Sequence, residues 1–286
     1  MYSAIENGFF AKEHIQVKLV TLSGGPALVA ATAGGSVDVA WGDIFAWTAA
    51  IEQGFKLTII NPANGLKAGQ QVNVIMAKPG SGITSAKGLA GKRLGVPAQA
   101  LTTVQIKKWL ADQGLDANGP TYTTVQDRTT AGGLVAQGTI DAAATSGASV
   151  TQWQAQYGLV VAGTYDSGIP DGAATSGYGA LASYAQNHPD LIKRFVAAVR
   201  EGVAAFQTAP PADQNKMLVK YGGADVGKLE AKYPGALAAA AAANGGELRG
   251  PFNVAAENKW VAVGVQYDAL KAPLDITPYL WTTATA

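Results

Sequence analysis

Arg93-Leu94-Gly95-Val96-Pro97, followed by Ala98-Gln99-Ala100-Leu101-Thr102-Thr103, is the stretch on which the fold turns. A short apolar run closed by proline reads as a buried strand, and the polar residues after it open a helix predicted from about Thr102 to Gln113. Working outward, the same alternation recurs. Ser85 to Ala90 is a predicted helix, Thr121 to Val125 a strand, Thr129 to Gln137 a helix and Ala142 to Ala144 a strand, with Leu159 to Ala162 extended. Strands alternating with helices indicate βαβ units and a largely parallel sheet, so the fold class is α/β with helices flanking the sheets.

The flanks repeat the pattern. Ser3 to Glu13 is a predicted helix and Val17 to Leu22 a strand. Ser23-Gly24-Gly25-Pro26 then leads into a helix over Ala27 to Ala33, with Pro26 near its first turn. Val37 to Trp41 and Leu57 to Asn61 read as strands around a helix from Ile44 to Gln53. After a Gly/Ser/Asp/Pro-rich loop (Asp166 to Ser176) the chain turns helical: Asp190 to Thr208, Pro211 to Tyr221, Val226 to Tyr233, the alanines around Ala236 to Ala243, and Ala255 to Leu270. The extended runs Val72 to Ala77 and Tyr178 to Ser183 read as two crossings. They divide the chain into lobe one, 1–76 with 178–286, and lobe two, 77–177, hinged around a ligand held between them.

Composition excludes several classes of function. Twenty-one Lys and Arg against 20 Asp and Glu leave a formal charge of +1, with no basic stripe to hold nucleic acid. The longest apolar run is the alanine tract, well short of the roughly 18–20 residues that span a bilayer. No cysteine is present, which rules out disulfides, thiolate nucleophiles and thiolate-ligated metals. No basic n-region and apolar h-region follow Met1.

Tyr2-Ser3-Ala4-Ile5-Glu6-Asn7-Gly8-Phe9-Phe10 through Val20 resembles the opening of the nitrate/sulfonate/taurine class of ABC-transporter solute-binding proteins, with His14 where that family usually has glycine. Further pieces follow in the family's order: Ser23-Gly24-Gly25-Pro26; Gly35-Ser36-Val37-Asp38-Val39-Ala40 with Gly42-Asp43; Lys87-Gly88-Leu89-Ala90-Gly91-Lys92-Arg93-Leu94-Gly95-Val96; Gln137-Gly138-Thr139-Ile140-Asp141-Ala142; and Asn187-His188-Pro189-Asp190-Leu191-Ile192. The resemblance implies a two-lobed type II periplasmic binding protein, monomeric and cofactor-free. It would be periplasmic or otherwise extracytoplasmic, closing on a small-molecule solute and docking on a membrane permease. It also implies a signal peptide, a strand and a ligand-lining loop ahead of the Tyr-x-Ala helix, so Met1 is expected to be an internal residue of a longer chain.

Four junctions carry the candidate ligand-binding residues. Ser23, Gly24 and Gly25 either bring backbone amides to a solute or form a tight turn. Trp41, Gly42 and Asp43 either line the cleft or, in the case of Asp43, cap the helix at Ile44. Gln99, Leu101, Thr102 and Thr103 offer an amide and hydroxyls at a helix start, where oxyanions are held. Thr145 and Ser146 form the fourth. Asp38 and Asp141 read as structural residues, Phe45 and Trp47 as packing, and Asp127-Arg128 as a surface pair or helix start. The family resembles at a distance an enzyme of thiamine-pyrimidine synthesis and shares its fold with ligand-sensing regulatory domains. Those are the alternatives, an enzyme or pyrimidine binder and a regulator. Only His14 and His188 are present as histidines, with no cysteine, no Gly-x-Ser-x-Gly and no phosphate loop, so no catalytic or metal-ligating residues are assigned.

Overall fold

The computed structural model describes residues 1–22, 24–65, 72–126, 130–221, 225–244 and 250–281. Ser23 and the Asp127-Arg128 pair lie outside the described residues. The chain packs as two units, Met1–Lys67 with Pro170–Ala209 and Gly246–Ala286, and Ala68–Ile169 with Pro210–Gly245.

The first unit holds α1 (Tyr2–Glu6), α2 (Phe9–Lys12), α3 (Gly24–Ala33), β1 (Ala40–Asp43), α4 (Ile44–Glu52), β2 (Leu57–Pro62), β8 (Ser176–Leu181), α8 (Ala182–Asn187), α9 (Pro189–Thr208) and α13 (Val254–Gln266). Its sheet has the order β1-β8-β2, with β8 antiparallel to both neighbours, so β1 and β2 point the same way. One face of the sheet (Ile60, Tyr178, Ala180) packs on Phe10, Phe195 and Val199 of the surrounding helices. On the sheet, Trp47 lies flat over glycines: a Cβ on Gly179 would stand 2.8 Å from its ring and one on Gly42 3.0 Å. Its indole Nε1 donates to the Gly177 carbonyl at 3.1 Å. Phe45 and Trp47 are buried, as their sequence reading holds.

The second unit holds β3 (Asn73–Ala77), β4 (Arg93–Pro97), α5 (Ala100–Asp112), β5 (Thr121–Val125), α6 (Ala131–Gln137), β6 (Ala142–Ser146), α7 (Ala148–Tyr157), β7 (Val160–Thr164), α10 (Pro211–Lys220), α11 (Val226–Lys232) and α12 (Ala236–Asn244). Strand order is β5-β4-β6-β3-β7. The period-two alternation of a strand divides its side chains between two cores. Ile75, Ala77, Ala142 and Ala144 join Ile106 and Trp109 on one face. Val74, Met76 and Ala143 join Trp153 and Leu159 on the other. Burial on both faces explains why these strands read as continuous apolar runs.

Several expectations are corrected. Strand directions are mixed: β4 is parallel to β5 and β6, whereas β3 is antiparallel to β6 and β7, as β8 is to its neighbours. β3 and β8 follow the chain's passages between units, and such strands enter a sheet against its run. Residues 17–22 form no strand: their backbone has no ladder partner among the described residues, and Leu19 and Val20 are exposed. The predicted first helix breaks in two at Gly8, whose φ of 71° is left-handed. The strand expected at Val37–Trp41 begins three residues later, after a bend at 36–38. The helix Ala148–Tyr157 has no counterpart in the sequence reading. Residues 210–245, assigned there to lobe one, pack in the second unit, where α12 lies along α7. Among the described residues, no helix is long and apolar enough to cross a membrane.

Candidate functional site

In the second unit, β5, β4 and β6 are adjacent and parallel, so their C-terminal ends share one edge of the sheet. Open α/β sheets hold ligands at that edge. Two helices begin there, α5 after β4 and α7 after β6, with strand neighbours about 4.8 Å apart. α5 starts at Ala100 rather than Thr102, which makes Gln99 the N-cap residue. Gln99 has extended backbone (φ −137°, ψ 127°), and its side chain makes no cap hydrogen bond. The first N–H groups of a helix have no intrahelical acceptor, and the helix dipole favours negative charge beside them. Leu101 and Thr103 are half-buried around this opening, and Gln99 is exposed. Thr102 turns inward and is buried, so its hydroxyl belongs to the packed side of α5.

Thr145 and Ser146 end β6 beside that opening. Thr145 is 1% exposed, and its hydroxyl is buried without a hydrogen-bond partner. Gly147, at φ 62°, starts α7, and no side chain caps this helix either. The alanine helix α12 covers the turn closely: a Cβ on Gly147 would stand 3.5 Å from that of Ala243. Ser146 is half-buried.

In the first unit, the C-terminal ends of β1 and β2 share an edge in the same way. Asp43 is the N-cap of α4: its Oδ1 accepts the Ala46 N–H at 2.9 Å. Burial raises its carboxyl above the usual range, opposed by the Ala46 and Phe45 N–H groups. The Ile44 N–H donates to the Thr175 carbonyl at 3.1 Å. The start of α4 is therefore satisfied from within, with Asp43 as its cap. Gly42 is closed off by Trp47. Trp41, by contrast, is 46% exposed. Gly24 and Gly25 are the first residues of α3, which begins three residues ahead of its predicted start. The four junctions thus fall in two groups, Gly24 and Gly25 with Trp41 to Asp43 in one unit and Gln99 to Thr103 with Thr145 and Ser146 in the other.

Three residues at these edges escaped the sequence reading. Asn61, buried at the end of β2, accepts from Arg200 Nε at 3.2 Å, and Arg200 also donates to the Gly250 carbonyl at 3.3 Å. Burial lowers the Arg200 pKa. Glu257, the third, is fully buried near the start of α13. The signal was available: Arg200 and Glu257 are charged residues at inward positions of otherwise apolar helix faces. Asp141 is structural, as expected. It accepts the Arg93 N–H at 2.8 Å and pairs with the Arg93 guanidinium at 2.9 Å, which holds its carboxyl down at about 2. Asp38, His14 and His188 are exposed.

The fold is shared with solved structures at low sequence identity. The periplasmic aliphatic sulphonate binding protein SsuA from Escherichia coli superposes with a TM-score of 0.74 at 16% identity, over 98% of this chain and 94% of that one. The alkanesulfonate-binding protein SsuA from Xanthomonas axonopodis pv. citri, bound to MOPS, gives 0.73 at 14% identity, over 98% and 93%. A mutant of the desulfurization enzyme DszB, in complex with biphenyl-2-sulfinic acid, gives 0.66 at 12% identity, over 99% and 93%. A search of curated proteins found no match. The family described as NMT1/THI5 like matches residues 1–212, and the chain belongs to that family.

Proposed function

We propose that this chain is the solute-binding component of an ABC importer, taking a small organic anion of the sulfonate, taurine or nitrate kind outside the cytoplasm and handing it to a membrane permease. The observation that carries the reading is the start of α5. Its first amides lack a side-chain cap, at the C-terminal edge of three parallel strands and beside a second uncapped helix start. Such amides recognise oxyanions with no countercharge and leave them chemically unchanged. Two of the matched structures are, by name, sulfonate-binding proteins, which favours the same solute class. The absence of cysteine and the exposed positions of both histidines argue for binding over catalysis.

Calorimetry with alkanesulfonates, taurine, nitrate, carboxylates and pyrimidines tests this. Binding of at least one sulfonate or related oxyanion is expected. A second reading, a flat heteroaromatic solute such as a pyrimidine, is favoured by the exposed indole of Trp41. Binding of pyrimidines alone would establish it in place of the first.

A further inference from the structure

The Glu257 carboxylate plays no part in the reading above. It is 0% exposed, near the start of α13. Its Oε1 accepts the Ala174 N–H at 2.8 Å, and its Oε2 is buried with no hydrogen-bond partner. Ala174 lies on the segment by which the chain re-enters the first unit. That segment runs against the departing one: Ala174 bridges Gly65, and the Thr175 N–H and hydroxyl both donate to the Asn64 carbonyl, at 2.6 and 3.0 Å. It is seated on α13 at Gly172, where a Cβ would stand 2.9 Å from Nδ2 of Asn253, the α13 N-cap. One residue past Ala174, the Thr175 carbonyl takes the first amide of α4, directly after Asp43. Three hydrogen-bonding residues therefore link Glu257 to the Trp41–Asp43 junction.

We propose that Glu257 is a positioning residue and proton switch. Neutral, it holds Ala174 and so fixes the Thr175 carbonyl against the Trp41–Asp43 junction; ionised, it loosens that segment and weakens solute binding as pH rises through neutrality. The link to solute affinity rests on the binding reading, whereas the switch itself does not. A neutral carboxyl still accepts from Ala174 through one oxygen. A carboxylate given a single donor away from water is poorly stabilised, and relieving it requires the packing around it to open. Burial pushes this carboxyl up to about 7, opposed only by the Ala174 N–H. The ionisable side chains on the segment and on α4 and α13, which pack together, are Asp171, Asp43 with Glu52, and Lys259. Glu52 is engaged by the backbone N–H groups of Lys271 and Ala272, and Asp43 by Ala46.

Hydrogen exchange of the solute-free protein tests the switch at pH 6 and pH 8, corrected for intrinsic exchange. Protection across 172–176 and at Ile44 should fall about tenfold in the wild type, following the neutral fraction of the carboxyl. It should stay constant in Glu257→Gln, whose amide oxygen accepts the same hydrogen bond without charge. Constant protection in the wild type, or an equal fall in the variant, would overturn the switch. Infrared titration of the wild type needs no variant: a buried carboxylic-acid band should fade between pH 6 and 8, and no such band would equally overturn it. With a solute in hand, affinity should drop across the same range in the wild type only. Flat affinity over a changing segment would refute the coupling while leaving the transport reading untouched.

Discussion

His14 occupies the left-handed region at φ 54° on an exposed turn, at the position where the resembled family has glycine. A side chain in that conformation costs about 1–2 kcal/mol, partly offset by the extra freedom glycine has when unfolded. His14→Gly should therefore stabilise the protein by about 0.5–1 kcal/mol in urea titrations. Asp43 works in the opposite direction. Asp43→Ala removes the α4 cap and should lose about 1 kcal/mol, whereas Asp43→Asn keeps an acceptor and most of that stability. Glu257 makes stability depend on pH. Its folded pKa of about 7 lies above the ordinary 4.5. The contribution of its neutral form is thus complete below pH 4.5, falls as pH rises to 7, and leaves a penalty of about 3 kcal/mol beyond. The melting temperature of the wild type should drop from pH 5 to 8 more than that of Glu257→Gln. Equal drops would show that Glu257 is uninvolved.

Among the elements, the second unit was the more legible. Arg93 to Pro97 is short, apolar and stopped by proline, and both its faces are covered, so composition alone marks it as a buried strand. The start of α5 was misplaced by two residues because Gln99, a poor capping residue, stands where a Ser, Thr or Asp would announce the helix. α7 was missed because Gly147 and a weakly amphipathic run give no cap and no sharp period. Residues 17–22 show the reverse failure, for strand composition cannot make a strand where no partner's backbone lies alongside. Gly179 of β8 also carries a meaning that sequence does not display: it clears room for Trp47. Gly179→Ala should force that ring to move and cost about 1–3 kcal/mol, against near-neutral Gly250→Ala, where an added Cβ meets open space and the backbone is not left-handed.

At the scale of the molecule, the α/β class and the family were readable because ordered Gly-x-x-Asp-x-Ala-like pieces run along the chain. The destination of residues 210–245 was not. An amphipathic helix declares that one face is buried but not what buries it; α11 and α12 found theirs against α7, and α10 against α12. That placement closes α12 over the start of α7 and leaves α5 as the more open helix start at the parallel edge. Proline is tolerated at the first position of a helix, and Gln99 already has the extended backbone that proline requires before it. Ala100→Pro therefore deletes one amide from the proposed anion site with little effect on α5. Titration of the wild type and Ala100→Pro with an alkanesulfonate in a calorimeter is the most direct measurement. The account predicts one-to-one binding to the wild type, weakened at least about tenfold, or 1.4 kcal/mol, in a variant of unchanged melting temperature. Equal affinity for both proteins, or no heat from any oxyanion, would contradict it.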